Sequence, residues 1–318
     1  LKNFDNYIFE QIKFDLPLCI IEDFHKIKNL HKDYLQNISL VLTDTIHRYN
    51  TIFKSWLAEK KNFKKDFKII TSDHGGIYGN GLRSYSYDKN IADINIKFRK
   101  TISKNQISLP SLFLNKESYS HRKENKILII GHDTSKYPRN FFTGPISEQI
   151  MFQYKQVKRF IKNFKNKSNK EVFIRPYLIN NGWKLTELYQ KIVGKKKIVS
   201  TNASYEQLKK TSLIKIVTYP KTAYLESLIN GPTFLLINKK HYNDDKFNQK
   251  FMGKLFKNKL AFEDGKKLAE HLIKIENNLD EWWYQSKIQR NIKLFFKNTN
   301  IIDKDPISKW VMILKKLL

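Results

Sequence analysis

From residue 126 onward, short apolar runs alternate with stretches whose apolar residues recur every three or four positions. The runs at 126–131 (KILIIG), 172–174, 198–199, 213–218 and 232–237 read as buried strands. The spacing between them predicts helices over 147–164, from just after Gly182-Trp183 to about 192, over 204–209 and over 222–229. Further helices are expected over 243–257, 264–277, 280–297 and 306–317, with Ser147 as the cap of the first helix and Trp282-Trp283 as core. Short strands alternating with helices predict a parallel, doubly wound α/β sheet.

The first third is less regular. Pro17 inside the apolar run 16–21 predicts a loop leading into a helix. Residues 36–61 read as one helix, because Ile38, Leu40, Val41, Ile46, Tyr49, Phe53 and Trp56 fall at roughly helical spacing. A strand is expected at 67–71, a polar connection at 82–90 and a second strand at 91–98. Residues 99–125, rich in Lys, Ser and Asn and containing Pro110, read as an interdomain linker. One or two strands are few for a Rossmann-like domain. Residues 1–120 are therefore expected to be the C-terminal part of a larger first domain plus linker, and 121–318 a ligand-binding domain with C-terminal helices.

Composition changes this picture only in part. The 318 residues carry a net charge of +29. An anionic partner is one reading, namely nucleic acid, a membrane leaflet or an acidic sugar nucleotide. The lysines are spread along the whole chain and Arg is scarce, which fits codon bias better than a nucleic-acid interface, so no nucleic acid is expected. A basic surface can still lie against anionic lipid. Cys19 is alone, reads as a small buried hydrophobe, and cannot form a disulfide within the chain. No apolar run reaches membrane-spanning length and no signal-peptide pattern begins the chain. The expectation is a cytoplasmic protein, peripheral at the inner face of the membrane if it touches one.

Three loops follow predicted strands, where open α/β sheets bind ligands. The first, SDHGGIYG at 72–79, places Asp73 and His74 beside Gly75 and Gly76, whose lack of a Cβ lets backbone pass close to a substrate. It is either a catalytic or phosphate-facing loop, or a tight turn with a surface Asp–His pair. The second puts Arg175 at a strand end, before Pro176 and Tyr177, as a ligand contact or a surface ion pair. In the third, Thr222 begins a helix, where hydroxyl and free N–H groups make an anion site or merely a cap. Glu226, one turn on, faces a ribose hydroxyl or completes a cap. His132-Asp133, after KILIIG, lines the same crevice. Asp244-Asp245, an adjacent acidic pair, is expected at a helix start rather than in a metal-binding loop.

Together SDHGGIYG, YDKNIADINIKF, FIRPYLINNGW, TAYLESLINGPTFLLIN and EWWYQSKIQ resemble the LIC12162 family of transferases, found with bacterial surface-polysaccharide genes. The chain departs from the family pattern at Asp73, where Gln is usual before HGG, and after Tyr177, where a Pro is missing. The family is similar to GT-B glycosyltransferases, including Kdo-transferase-like and pseudaminyltransferase-like enzymes. The resemblance implies a two-domain Rossmann-like fold. It also implies transfer of an acidic sugar from a CMP-sugar donor to a glycan or lipid-linked acceptor, for lipopolysaccharide or capsule, with no cofactor and no metal. Carried over, Asp73 or His74 supplies the acid/base or nucleophile, and Gly75, Gly76 and Tyr78 contact substrate. Arg175, Tyr177, Thr222, Glu226 and His132 then hold the nucleotide. A polyol-phosphate transferase on the same scaffold is the alternative, and a nucleic-acid-binding protein a distant third.

Overall fold

A computed structural model describes residues 2–16, 22–32, 34, 37–76, 82–101, 103–114, 124–137, 145–242 and 246–318. The expectations for Pro17, Cys19, Tyr78 and Asp244-Asp245 lie outside these residues.

The first sheet has four parallel strands in chain order, β1 (Leu40–Thr43), β2 (Lys68–Ser72), β3 (Ile94–Lys97) and β4 (Gln106–Ser108). Two sequence expectations fail here. Residues 36–61 are not one helix: β1 comes first, then a helical turn Ile46–Tyr49 and a helix Thr51–Phe63. The run Leu-Val-Leu-Thr fits a pleated strand as well as a helical stripe. Asn50, in extended backbone, accepts from Phe53 N–H and restarts the helix. The expected linker contains β4, and its Leu109 and Leu114 are buried. The first sheet thus has four strands, not one or two. Residues 82–90, read as a polar connection, lie in a helix, Leu82–Ile91.

The second sheet comprises β5 (Glu124–Ile130), β6 (Glu171–Arg175), β7 (Ser212–Val217), β8 (Thr233–Leu236) and β9 (Ala261–Phe262), all parallel and in the order β6-β5-β7-β8-β9. Ile198 adds a single parallel bridge to Ile174 on the outer edge of β6, where a full strand was expected. Counting that bridge as third, the order is 3-2-1-4-5-6. Ile127–Ile130 of β5 are covered on both faces, as the unbroken apolar run requires. On one face the helix Gln149–Phe164 buries Ile150, Val157, Phe160 and Phe164, a stripe at helical spacing. Its cap is Glu148, and Ser147 has φ 47, so it does not cap the helix as expected. The expected helix over 280–297 is two helices, Leu279–Trp283 and Ser286–Thr299, parted by the extended backbone of Gln285. Trp283 is buried and Trp282 stacks on Phe234 with ring centroids 5.6 Å apart.

The last helix, Pro306–Leu317, returns to the first sheet. Its Trp310 packs with Ile70, Ile96, Phe98 and Leu109, and its indole N–H donates to Pro110 C=O at 2.8 Å.

Candidate functional site

The strand order of the second sheet reverses between β5 and β7, the point at which neighbouring crossovers part and leave a crevice beyond the strand ends. Gly131, His132 and Asp133 leave β5 there, and Thr218 and Tyr219 leave β7. Thr218 pins the two loops together: its N–H and hydroxyl both donate to Ile130 C=O, at 3.1 and 3.0 Å. His132 stacks on Tyr219 with centroids 4.5 Å apart and meets the edge of Tyr177 at 5.7 Å. Burial, aided by the nearby charge of Lys221, pushes the His132 imidazole down to about 3, so the ring is neutral. Among the described residues its Nδ1 is buried without a hydrogen-bond partner, as is Nε of Arg175. The Arg175 guanidinium lies 5.1 Å from the ring centroid of Tyr205. The Tyr205 hydroxyl donates to Ala223 C=O at 2.9 Å and lies 3.0 Å from Ser227 Oγ, which locks that ring onto the helix Thr222–Ile229. Burial pushes the Tyr219 phenol up to about 12 and raises the Glu226 carboxyl, an effect that Lys209, 3.7 Å from Glu226, partly offsets. Asp133 plays a supporting part. Its carboxylate accepts from the Thr134 and Asn181 N–H groups, and burial holds it above the ordinary carboxylate range.

The first sheet presents its own strand ends to the same helix. Gly76 N–H donates to Thr222 Oγ1 at 2.9 Å, across 146 residues of chain. No side chain would fit: a Cβ on Gly76 would lie 2.2 Å from Leu225 Cδ1, and one on Gly75 would lie 2.6 Å from Thr222 Oγ1. Gly75 also has φ 70, in the left-handed region. Thr222 is not itself a cap in this arrangement. Its oxygen accepts from Gly76, and its own proton remains available to a ligand.

Asp73 and His74, adjacent in sequence, point different ways. Asp73 turns inward and is 3% exposed. Its two oxygens accept from Lys97 Nζ at 2.8 Å and Phe98 N–H at 3.0 Å. His74 is 60% exposed, and its Nδ1–H donates to Asp44 Oδ2 at 2.7 Å. Asp44 accepts also from the Thr45 hydroxyl at 3.0 Å. Burial alone would raise the Asp44 carboxyl, but the hydrogen bonds from His74 and Thr45 outweigh it and hold the group below its ordinary value. One residue before Asp44, the Thr43 hydroxyl meets Nδ1 of buried His47 at 3.0 Å, and His47 Nε2–H donates to Asp88 at 2.8 Å. That network anchors the end of β1.

The structure therefore brings His132, Arg175, Tyr177 and Glu226 into one crevice, and joins Gly75 and Gly76 to Thr222. It turns Asp73 away from the cleft. Sequence reading missed Asp44, because the strand that presents it lay inside a supposed helix. It also left Tyr205 and Tyr219 out of the site. A Tyr directly after a strand at the switch point is the signal that marks Tyr219.

Two parallel Rossmann-like sheets, meeting through the loops at their strand C-termini, define the GT-B architecture, a glycosyltransferase-type fold. The UDP co-structure of Staphylococcus aureus MnaA shares it at 13% identity, with 92% of this chain and 80% of that one aligned and a TM-score of 0.52. A structure from Listeria monocytogenes, assigned to the UDP-N-acetylglucosamine 2-epimerases, aligns over 92% and 76% at 12% identity and a TM-score of 0.53. TarM aligns over 86% of this chain and 54% of its own, at 10% identity and a TM-score of 0.50. The chain belongs to the LIC12162 family of transferases, whose family model matches residues 1–314. No curated protein sequence matches it.

Proposed function

We propose that the protein is a glycosyltransferase of bacterial surface-polysaccharide synthesis. It moves an acidic sugar, Kdo or a nonulosonic acid, from a CMP-linked donor to a glycan or lipid-linked acceptor. The observation that carries this reading is the pair of buried, unpartnered polar atoms at the switch point, His132 Nδ1 and Arg175 Nε. Buried polar groups are costly unless bonded, and two of them beside one crevice support a ligand there. Aromatic rings beside them suit a nucleobase and ribose. Arg175, Lys221 and the Thr222 hydroxyl suit a phosphate.

In this reading His74 is the base. Asp44 fixes the tautomer by accepting from Nδ1–H, which leaves Nε2 to take the proton of the acceptor hydroxyl. The hydroxyl oxygen attacks the anomeric carbon as the carbon–phosphate-oxygen bond breaks, and CMP leaves with the bonding pair. Positive side chains and the N-terminus of the helix Thr222–Ile229 stabilise the departing phosphate, so the reading needs neither metal nor cofactor. Asp73 positions: its ion pair with Lys97 ties the end of β2 to β3 and so aims the turn that carries His74. Contact with an anionic membrane is part of the proposal. No helix among the described residues is long and apolar enough to cross one.

The test is a thermal-shift titration with CMP, CDP, UDP and GDP. A ligand bound only by the folded state raises the melting temperature. We expect CMP to raise it, and Arg175→Ala and Thr222→Ala to abolish most of the shift with the fold intact. UDP is included because the S. aureus neighbour holds UDP. A shift with UDP or GDP instead replaces the donor, and a shift with CDP alone turns the reading to polyol-phosphate transfer. No shift with any nucleotide overturns it.

A further inference from the structure

A cavity of about 760 Å³ opens where the far end of the helix Thr222–Ile229 meets the helix Ser286–Thr299 and the β4 edge of the first sheet. That volume lies within the range of small-molecule sites, about 300–1,000 Å³. Thr222 touches Gly76 at one end of its helix, and Leu228 and Ile229 line the cavity at the other. The eight residues of this helix, ends included, span roughly 12 Å at the helical rise, so the cavity is separate from the crevice described above. Leu228, Trp283, Ile292 and Phe296 form its wall, and all four are buried in the second core. The cavity's lining is mostly apolar, with Ser108, Tyr284 and Gln289 among the polar residues, and it opens to solvent.

Its rim is charged with one sign only. Lys100 comes from the first sheet's side, and Lys293 and Lys297 lie one turn apart on the facing helix. No carboxylate is among the described lining residues. Some surface lysines elsewhere meet acids, as Lys61 meets Asp93 at 2.6 Å and Lys28 meets Glu59 at 3.1 Å. Among the described residues none of the three rim lysines has an ion pair. A mostly apolar slot whose lining includes three lysines and, among the described residues, no acid is complementary to an apolar chain ending in an anion.

We propose that this cavity binds a single-chain lipid with a phosphate headgroup. The chain lies against Trp283 and Phe296, and the phosphate sits among Lys100, Lys293 and Lys297. Both domains contribute to the site, so the lipid bridges them.

Dodecyl phosphate, titrated calorimetrically below its micelle concentration, tests this. We expect one site per chain. The triple variant Lys100→Glu, Lys293→Glu, Lys297→Glu should weaken binding at least tenfold with unchanged circular dichroism. Ile302→Trp, which fills the slot without touching the charges, should do the same. Dodecyl maltoside, dodecyltrimethylammonium and inorganic phosphate should bind at least tenfold more weakly than dodecyl phosphate. Equal affinity for any of the three, or no loss in the lysine variant, overturns the proposal. So does dimerisation of the chain that Ile302→Trp abolishes while dodecyl phosphate fails to bind, since the slot then belongs to a second copy. These outcomes do not depend on which nucleotide the other crevice takes.

Discussion

At His74 the two ring nitrogens are inequivalent. Nδ1 donates to Asp44, which leaves Nε2 as the ring's acceptor. A base oriented in this way loses more from losing its orienter than from a small change in surface charge. We expect His74→Ala to lower turnover by about 10²–10⁴-fold, the usual contribution of a general base. Asp44→Asn should lower it by a smaller factor, Asp44→Glu should restore part of the loss, and donor affinity should stay near wild type in all three. Loss of donor binding equal to the loss of rate would make the pair structural. His132 carries a second expectation. In the unfolded chain its imidazole takes a proton near 6.5, but in the fold not until about 3. Between those values the unfolded state binds more protons, so this residue's contribution is intact above pH 6.5 and is lost as pH falls toward 3. Relative to His132→Phe, the wild type should lose up to about 1.4 kcal/mol of stability per pH unit in that window. Urea midpoints at pH 7.5, 6 and 4.5 measure it, and parallel curves would refute it.

The HGG turn and the helix Thr222–Ile229 are one device at the scale of elements. Glycines at 75 and 76 were legible as a close approach of backbone to something, and that something includes another part of the chain. A methyl on Gly76 has nowhere to go between Leu225 and the Thr222 backbone. Gly76→Ala should cost about 1–3 kcal/mol, the range for overpacking, by pushing the two domains apart. Thermal unfolding and small-angle scattering should show the loss of stability and a larger radius of gyration together. Unchanged values in both would mean that the turn retracts freely. By contrast, the short strand β1 could not be separated from the helix after it by periodicity. Four residues are too few for a two-residue period to outweigh a helical one. β4, only three residues long, was hidden for the same reason among Lys, Ser and Asn.

For the whole molecule, an apolar run long enough to be covered on both faces declares itself in the sequence, because nothing polar can occupy those positions. β5, β7 and β8 were legible for that reason, together with the amphipathic helices over them and the doubly wound class. Arg175, His132 and Thr222 were legible as neighbours of the crevice because each follows or begins an element of that sheet. Pairings between distant segments leave no such trace. Nothing local shows that Asp44 reaches His74, that Lys97 claims Asp73, or that Trp310 travels back to Ile96. Each of those contacts exists because folding returned a remote side chain to a strand end. Chain order thus accounts for the elements and for which loops line the crevice. Which of two neighbouring titratable residues meets solvent, and which is consumed by the core, depends on partners that only the assembled sheets supply.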